Sequence, residues 1–176
     1  MIVVKVGGSL FDSPALGPAL RAYLNALPPQ PVLLVAGGGA VADAVRAFDR
    51  THALGEAPAH WLALASLDVT AGLLERLVGE SARVLNCLAF AREDETRPGA
   101  LPHTWAVTTD SIAARAAEVF GASRLVLLKS VDVPAGFSHA EAAERGFVDA
   151  HFPVVAARLK CPVEFRNFRR ELVAHA

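Results

Sequence analysis

The chain has 176 residues, of which 53% are hydrophobic, and a formal net charge of -1 at pH 7. This length and apolar content predict a folded, soluble protein of one domain, or a compact two-lobed one, with a sizeable core. Lys and Arg are spread along the chain, so composition and charge exclude the basic surface typical of a nucleic-acid-binding protein.

The sequence shows no targeting segment and no cysteine pattern typical of a disulfide or a metal site. The first residues lack the basic region and cleavage site of a signal peptide, and no apolar run approaches the roughly 20 residues that span a bilayer. We therefore expect a cytoplasmic protein without a membrane partner. Cys87 and Cys161 have no Cys or His at ligand spacing, which indicates buried free thiols rather than a disulfide or a zinc site.

The apolar run at residues 2–6 predicts a buried strand that contains one charge, Lys5, and ends at Gly7, Gly8 and Ser9. A buried ammonium group is costly unless it reaches water or an anion. Glycines let a ligand approach the backbone N–H groups, so lysine, glycines and a hydroxyl form a plausible phosphate site. A snorkelling edge lysine before a tight turn fits the same residues.

A second strand followed by glycines lies at residues 31–36, a short apolar run typical of parallel sheets. It leads into Gly37, Gly38 and Gly39 and then into a helix, whose N-terminal N–H groups and dipole favour an anion. Because crossover connections place parallel strands side by side, both glycine loops should open at the sheet edge where α/β proteins bind ligands.

Residues 58–78 predict a long helix that is apolar over more than one face. Such a helix is either central in the core or shared with a partner subunit. We therefore expect a homodimer or a higher homo-oligomer that associates through this helix.

The remaining elements follow from periodicity and capping residues. We expect a first helix capped by Asp12 or Ser13 with Pro14 at its first position, strands at residues 83–88, 105–107, 124–129 and 162–165, and helices after Thr108, at 138–146, within 148–159 and at 166–175. The charged run at residues 92–99 is typical of a solvated loop, and a mobile flap over the site also fits it.

Two familiar nucleotide motifs do not account for the glycines. Residues 37–42 fit GxGxxA, but no apolar strand precedes Glu56, where a dinucleotide site needs one before its acidic residue. No GK[ST] follows the glycines, so a Walker loop is absent. The six histidines lack metal-ligand spacing, and His103, just ahead of Trp105, is a candidate substrate contact.

Three charged residues share a predicted sheet edge. Lys5 and Lys129 each end a strand, and Asp110 stands at the start of a helix. Two ammonium groups and a carboxylate in one crevice suit phosphoryl transfer, where positive charge must spread over the moving phosphoryl oxygens. Asp110 would orient the lysines or help to hold Mg²⁺ through water. A plain N-cap for Asp110 and a solvated strand-end lysine for Lys129 are the alternatives.

Four motifs occur in the order seen in the amino acid kinase superfamily, which includes the acetylglutamate, uridylate, aspartate and isopentenyl phosphate kinases. They are Lys5-Val6-Gly7-Gly8-Ser9, the strand before Gly37-Gly38-Gly39, Thr108-Thr109-Asp110-Ser111-Ile112-Ala113-Ala114, and Leu127-Leu128-Lys129-Ser130-Val131-Asp132. The chain resembles this superfamily to about residue 135. The resemblance implies an α/β fold, a three-layer αβα sandwich with a mostly parallel central sheet. Residues 1–107 would then bind the acceptor and form the dimer, and residues 108–176 would be a shortened nucleotide-binding part.

The resemblance also implies an ATP-dependent phosphotransferase that uses Mg²⁺ and acts on a small molecule. The catalytic residues would be Lys5, Asp110 and Lys129, without a metal ligand among the side chains. The ATP phosphates would contact Lys5, Gly7, Gly8, Ser9, Lys129, Ser130 and Asp132, and the acceptor would contact Gly37, Gly38, Gly39, Thr108 and Thr109. The chain is shorter than typical members, and only Lys160 is available late in the sequence as a counterpart of their second catalytic lysine.

Within the superfamily, Pro102-His-Thr-Trp105, Gly146-Phe-Val-Asp149 and Phe152-Pro153 look most like the short (aminomethyl)furanmethanol phosphate kinases of methanofuran biosynthesis and one-carbon metabolism. This likeness implies transfer of the ATP γ-phosphoryl group to a phosphate or carboxylate. Two other functions stay open: a nucleotide- or anion-binding protein that kept the fold and lost the chemistry, and a dinucleotide-binding oxidoreductase that uses GxGxxA.

Overall fold

The computed structural model describes residues 1–174 and places a parallel sheet between two layers of helices. The strands are β1 (Ile2–Val6), β2 (Val32–Ala36), β3 (Arg83–Val84), β4 (Arg124–Lys129) and β5 (Val163–Asn167). The helices are α1 (Leu16–Asn25), α2 (Gly39–His52), α3 (Glu56–Val78), α4 (Cys87–Asp94), α5 (Thr109–Val119), α6 (His139–Glu144), α7 (Phe152–Ala156) and α8 (Arg169–Val173). The strand order is β3-β2-β1-β4-β5 and every pairing is parallel. The expected α/β, three-layer architecture is confirmed.

Each face of the sheet has its own core, because successive residues of a strand point to opposite sides. Val3 of β1 belongs to the cluster beneath α4, α5 and α7, whereas Ile2 and Val4 belong to the cluster beneath α1 and α8. The long helix α3 contributes Leu64 and Leu67 to the first cluster and Leu74 and Val78 to the second. It is therefore central, as its apolar faces predicted.

The start of the first helix differs from the prediction. Residues Gly8–Asp12 form a 3-10 turn that buries Leu10, and α1 begins only at Leu16, so Pro14 precedes the helix. Ser13 accepts a hydrogen bond from the N–H of Ala15. The extra turn arises because burying Leu10 brings the chain back over the sheet before a helix can start.

One predicted strand is shorter than expected and another is wrong. The apolar run at residues 83–88 contributes only Arg83–Val84 to the sheet, because the side chain of Asn86 accepts a hydrogen bond from the N–H of Ala89 and starts α4. Residues 105–107 lie in the turn before α5 and not in the sheet. Short apolar runs do not distinguish a strand from a helix by periodicity alone.

The charged run at residues 92–99 is exposed apart from Asp94, as predicted for a solvated segment, but it begins inside α4, and two arginines hold it in place rather than leaving a mobile flap. Asp94 is buried at the end of α4 and receives two hydrogen bonds from Arg115 of α5, at 2.7 and 2.9 Å. Arg115 also donates to Pro98 O, and Arg158 donates to Gly99 O. A buried pair of this kind is costly to break, so the segment is fixed against α5.

The last part of the chain follows the predictions with shifted boundaries. The expected helix at 138–146 is α6, with a complete capping box between Ser138 and Glu141. The predicted tail helix at 166–175 is shorter, because Arg166 still belongs to β5; its predicted end at His175 lies outside the described residues. Cys87 is buried as expected, whereas Cys161 is partly exposed. Across residues 1–174, the helices are too short or too polar to cross a membrane.

Candidate active site

The carboxyl ends of β1 and β4 lie side by side at one edge of the sheet. Lys5 pairs in register with Leu127, so Lys129 lies two positions further along the neighbouring strand. Lys5 shares the sheet face of Val3, and Lys129 shares that of Leu125 and Leu127. Both lysines therefore lie on the face that α5 covers, and α5 begins there with Asp110 in its first turn.

Asp110 is held between the two lysines. Lys129 Nζ donates a hydrogen bond to Asp110 Oδ2 at 2.7 Å, and Lys5 Nζ lies 3.0 Å from Oδ1. The side chains are 7% (Lys5), 6% (Asp110) and 11% (Lys129) exposed. Within residues 1–174 no donor is aligned for a hydrogen bond to Oδ1, so the Lys5 contact is an ion pair. The three groups carry one net positive charge into a nearly dry site.

Burial is the main cause that lowers the pKa of Lys129 to about 8, and the nearby charge of Lys5 adds to it, against the opposing effect of Asp110. Burial on its own would raise the pKa of Asp110. The attraction of Lys5 and Lys129, together with the hydrogen bond from Lys129, outweighs it, so this pKa lies below the usual aspartate value. Asp110 is therefore a carboxylate at neutral pH and a weak proton acceptor.

The chain has three lysines, and the third, Lys160, does not reach this cluster. Lys160 is exposed and precedes β5, at the amino-terminal edge of the sheet. The lysines beside Asp110 lie at the opposite edge. Lys160 as a counterpart of the second catalytic lysine is therefore wrong, and Lys129 is the residue placed beside Asp110.

The two glycine loops touch each other. A Cβ atom on Gly8 would overlap the backbone nitrogen of Gly39, and one on Gly37 would overlap the backbone nitrogen of Gly8. Only glycine permits this approach of two main chains. The strand ends thus bring both loops together at one edge, as the parallel sheet requires.

The loop amides divide into two groups. Gly7 and Gly37 extend the sheet, donating to Leu128 O at 2.9 Å and to Val6 O at 2.8 Å. Their N–H groups are therefore occupied. Gly8 begins the 3-10 turn and Gly39 begins α2, and the first N–H groups of a helix have no acceptor within that helix. These helix starts are the loop positions suited to an anion.

A cavity of about 190 Å³ opens beside the loops. Its polar end is lined by Lys5, Gly8, Ser9, Gly38 and Gly39, its α5 side by Thr108 and Thr109, and its apolar wall by Leu64, Leu67, Val107 and Ile112. This volume is below the roughly 300 Å³ at the lower end for drug-sized ligands. A small molecule with an anionic group at one end fits this lining.

An indole also lines the cavity. Trp105 donates a hydrogen bond from Nε1 to Asp49 Oδ2 at 2.7 Å, and the guanidinium of Arg46 lies 4.9 Å from the centre of its ring. Arg46 in turn contacts Asp43 at 2.9 Å. Asp43, Arg46 and Trp105 all line the cavity, so charged groups of both signs and an aromatic face are available to a ligand.

The loops after β1 and β4 meet on the other side of the lysines. Ser9 Oγ donates to Ser130 Oγ at 2.8 Å, which links the two predicted phosphate loops. Asp132 instead pairs with Arg170 at 2.8 Å on the surface, with 61% of its side chain exposed. Of the ATP-side residues predicted from the sequence, Ser130 thus lies at the loop junction and Asp132 is engaged elsewhere.

The candidate substrate contact His103 lies one layer behind the cavity. His60 lines the cavity, and its Nδ1 lies 3.2 Å from Thr104 O. Burial lowers the pKa of His60. His103 stacks on His60 with ring centres 5.5 Å apart and is 3.5 Å from Glu95. His60, and not His103, is therefore the histidine at the cavity.

Sequence reasoning missed the residues whose roles depend on distant contacts. Arg46, Asp49 and His60 had no local motif, and Trp105 was assigned to a strand. A signal was present for helix α2, since Asp43, Arg46 and Asp49 recur at three-residue spacing on one face. The pattern gives no indication that Trp105 would pack on that face.

Comparison with known proteins finds similarity to kinases. No protein-family model matches the chain. It is 25% identical over 146 residues to the [5-(aminomethyl)furan-3-yl]methyl phosphate kinase of Methanocaldococcus jannaschii, an alignment that covers 75% of this chain and 67% of that protein.

Solved structures of uridylate kinases share the fold. The enzyme from Archaeoglobus fulgidus has a TM-score of 0.66 at 18% identity and covers 99% of this chain and 96% of its own. The UMP kinases of Ureaplasma parvum and Bacillus anthracis have TM-scores of 0.64 and 0.60 at 14% and 12% identity. They cover 97% and 99% of this chain and 91% and 92% of their own. This chain therefore has the fold of these uridylate kinases, as its resemblance to the amino acid kinase superfamily implies.

Proposed function

We propose that this chain, whose fold is that of the amino acid kinase superfamily, is a kinase that transfers the γ-phosphoryl group of ATP to the phosphate of a small acceptor. The observation that carries the proposal is the Lys5-Asp110-Lys129 cluster beside the two touching glycine loops. The kinase class of the curated relative and of the structural neighbours supports it.

The cluster suits the charge distribution of phosphoryl transfer. In the transition state, negative charge spreads over the equatorial oxygens of the moving group, and preorganised positive groups stabilise it. Lys5 and Lys129 would supply this charge from two sides. Asp110 would contact no phosphate; it would hold the amines apart and in place.

An acceptor that is already anionic explains why Asp110 need not act as a base. Both of its oxygens face lysine amines, and its lowered pKa makes it a poor proton acceptor. A phosphate monoester is mostly dianionic at neutral pH, with a second pKa of about 6. An oxygen of the acceptor phosphate would attack the γ-phosphorus, the bond from that phosphorus to the β,γ-bridging oxygen would break, and ADP and a diphosphate would leave.

We place the acceptor in the 190 Å³ cavity. Its phosphate would lie beside the starts of the 3-10 turn and of α2, next to Gly8 and Gly39. The remainder would be compact and largely apolar, with a cationic group near Asp43. [5-(Aminomethyl)furan-3-yl]methyl phosphate, after which the curated relative is named, has this size and polarity. We propose an acceptor of this type, in methanofuran-type cofactor biosynthesis.

The donor would lie across the Ser9–Ser130 junction, with its γ-phosphate at Lys5 and Lys129. In this arrangement each part of the chain would bind one substrate. Residues 1–107 would hold the acceptor, and residues 108–176 would form a shortened nucleotide-binding part. Mg²⁺ would arrive on the ATP phosphates. Within residues 1–174 no group of three or more His, Cys, Asp or Glu side chains could hold a metal, and both Asp110 oxygens face amines.

We also propose a cytoplasmic homodimer formed through α3. Leu62, Val69 and Leu73 are 42%, 64% and 43% exposed. Spacings of seven and four residues place them on one stripe of the helix. A stripe of three exposed apolar side chains on an otherwise central helix is the face that a second copy of the chain would cover.

The test is direct detection of the product. The protein is incubated with ATP, Mg²⁺ and [5-(aminomethyl)furan-3-yl]methyl phosphate, and ³¹P NMR follows the new diphosphate resonances. We expect ADP and the acceptor diphosphate in equal amounts. Thermal stabilisation by ATP and Mg²⁺ without transfer to this or other small phosphates would instead favour a non-catalytic nucleotide-binding protein.

A further inference from the structure

Asp149 is a hub of hydrogen bonds between the starts of α5 and α7. Its Oδ2 accepts hydrogen bonds from Thr108 N (3.0 Å), Thr108 Oγ1 (2.8 Å) and Ser111 N (2.9 Å). Its Oδ1 accepts from the hydroxyl of Ser111 and from Phe152 N (2.9 Å). One carboxylate thus receives five hydrogen bonds, from the first turn of α5 and from the first residue of α7.

These bonds replace the usual cap of α5. At most helix starts the N-cap side chain itself accepts a hydrogen bond from the N–H two or three residues later. Here Thr108 is the N-cap but makes no such bond, since its hydroxyl donates to Asp149. Asp149 instead accepts the hydrogen bond from Ser111 N. The position of α5 is therefore set by a residue 38 positions downstream of Ser111.

The clamped turn contains Asp110. Thr108 and Ser111 bracket it in sequence, and both are tied to the same carboxylate. Thr108 and Thr109 of this turn also line the acceptor cavity. A shift of the turn would therefore move Asp110 away from Lys5 and Lys129 and reshape the acceptor site at the same time.

We infer that Asp149 is a positioning residue for phosphoryl transfer, acting through the first turn of α5 to keep Asp110 between the two catalytic lysines. The inference rests on the proposed function for its catalytic consequence. Asp149 does not line the acceptor cavity and would not touch the reacting phosphates. Its negative charge also favours the charged form of Lys129, against the larger effect of burial on the pKa of that lysine.

The test compares Asp149→Asn with Glu141→Gln. Glu141 is a matched control because it too is a capping carboxylate, accepting hydrogen bonds from Ser138 N and Ser138 Oγ in α6 without contact to α5. The Asn side chain offers one acceptor oxygen where five donors converge. Asp149→Asn should lower kcat by about 10- to 100-fold with a smaller change in the KM for ATP, since small misplacements at a reacting centre have effects of this size.

Glu141→Gln should keep the wild-type kcat. Asp149→Glu should have a higher kcat than Asp149→Asn, because the glutamate carboxylate can accept some of the five hydrogen bonds. If Asp149→Asn does not fold, Ser111→Ala removes only the hydroxyl contact and should lower kcat in the same direction. A wild-type kcat for folded Asp149→Asn, or an equal loss in Asp149→Asn and Glu141→Gln, would overturn the inference.

A second readout does not need turnover. Because the chain has three lysines, ¹³C labelling of lysine side chains gives three amine titrations by NMR. Asp149→Asn should lower the pKa of Lys129 further below its usual value, whereas Glu141→Gln should leave it unchanged. An unchanged Lys129 titration in Asp149→Asn would overturn the inference. If the Lys129 titration shifts in Asp149→Asn but the wild-type protein transfers no phosphate, the proposed function is rejected and the positioning role of Asp149 stands.

Discussion

Lys129 donates a 2.7 Å hydrogen bond to Asp110 Oδ2, although nineteen positions separate the two residues. The bond joins the end of a central strand to the first turn of the helix that leads into it. Lys5 occupies the other oxygen of the same carboxylate. Two amines are thus fixed side by side by one acid, in a site closed to most solvent.

Replacing Lys5 by Met should strongly lower kcat for phosphoryl transfer while the protein stays folded. The substitution keeps the length of the side chain and removes the charge, and loss of one preorganised electrostatic contact typically lowers kcat by about 10²- to 10³-fold. The same change at Lys160, exposed at the opposite sheet edge, is the control and should leave kcat unchanged. Steady-state kinetics of both variants measure the effect on kcat. Equal kcat values for the two variants would show that Lys5 has no role in phosphoryl transfer.

Activity should fall as the pH rises through about 8, the pKa of Lys129. Above this pH the amine of Lys129 is neutral and no longer attracts the ATP phosphates, so kcat/KM for ATP should decline there. Bound phosphates favour the ammonium form, so kcat should decline only at higher pH. A profile of kcat/KM from pH 6.5 to 9.5 measures the effect, and a flat profile across that range contradicts a role for the charged form of Lys129.

Gly8→Ala should impair the protein at the contact between the glycine loops. The added Cβ would overlap the backbone of Gly39, so the loops must separate, and overpacking of this kind costs about 1–3 kcal/mol of stability. The phosphate-binding helix starts would move apart, and the KM for the acceptor should rise.

Gly121→Ala is the control for Gly8→Ala. Gly121 has φ +60 and open space around its Cβ position, at the far end of α5. Alanine there should lower stability by roughly 1–2 kcal/mol through its backbone conformation alone and leave the KM unchanged. Thermal melts with acceptor titrations separate the two effects. An acceptor KM that is the same in both variants would show that the loop contact does not serve the acceptor.

Val69→Glu should convert the proposed dimer into a monomer, because it places a charge in the middle of the exposed apolar stripe of α3. Val173→Glu is the matched control: Val173 is 79% exposed on α8, away from that stripe. Light scattering at micromolar concentration should give a dimer for the wild type and for Val173→Glu. A monomeric wild type at that concentration would contradict the dimer.

The sequence predicts the Lys5-Asp110-Lys129 cluster well because its geometry follows from local rules. Lys5 and Lys129 end buried strands, successive residues alternate between sheet faces, and parallel strands share one carboxyl edge. The Thr108-Thr109-Asp110-Ser111 pattern indicates a helix start. These rules bring the three charges to one crevice without knowledge of any long-range contact.

The remaining features of the site depend on contacts that no local pattern encodes. Asp149 reaches Thr108 across 41 positions, and Trp105 reaches Asp49 across 56. Both contacts arise only when helices pack in three dimensions. The early end of the strand predicted at residues 83–88 has a related cause, since the side chain of Asn86 caps α4 and the apolar run continues as a helix.

The most direct test of the central claim is a crystal structure with a non-hydrolysable ATP analogue and Mg²⁺. We expect oxygens of the γ-phosphate within about 2.7–3.2 Å of both Lys5 Nζ and Lys129 Nζ, with Asp110 still between the amines. A γ-phosphate bound away from these two amines, with Lys5 and Lys129 contacting only Asp110, would contradict it.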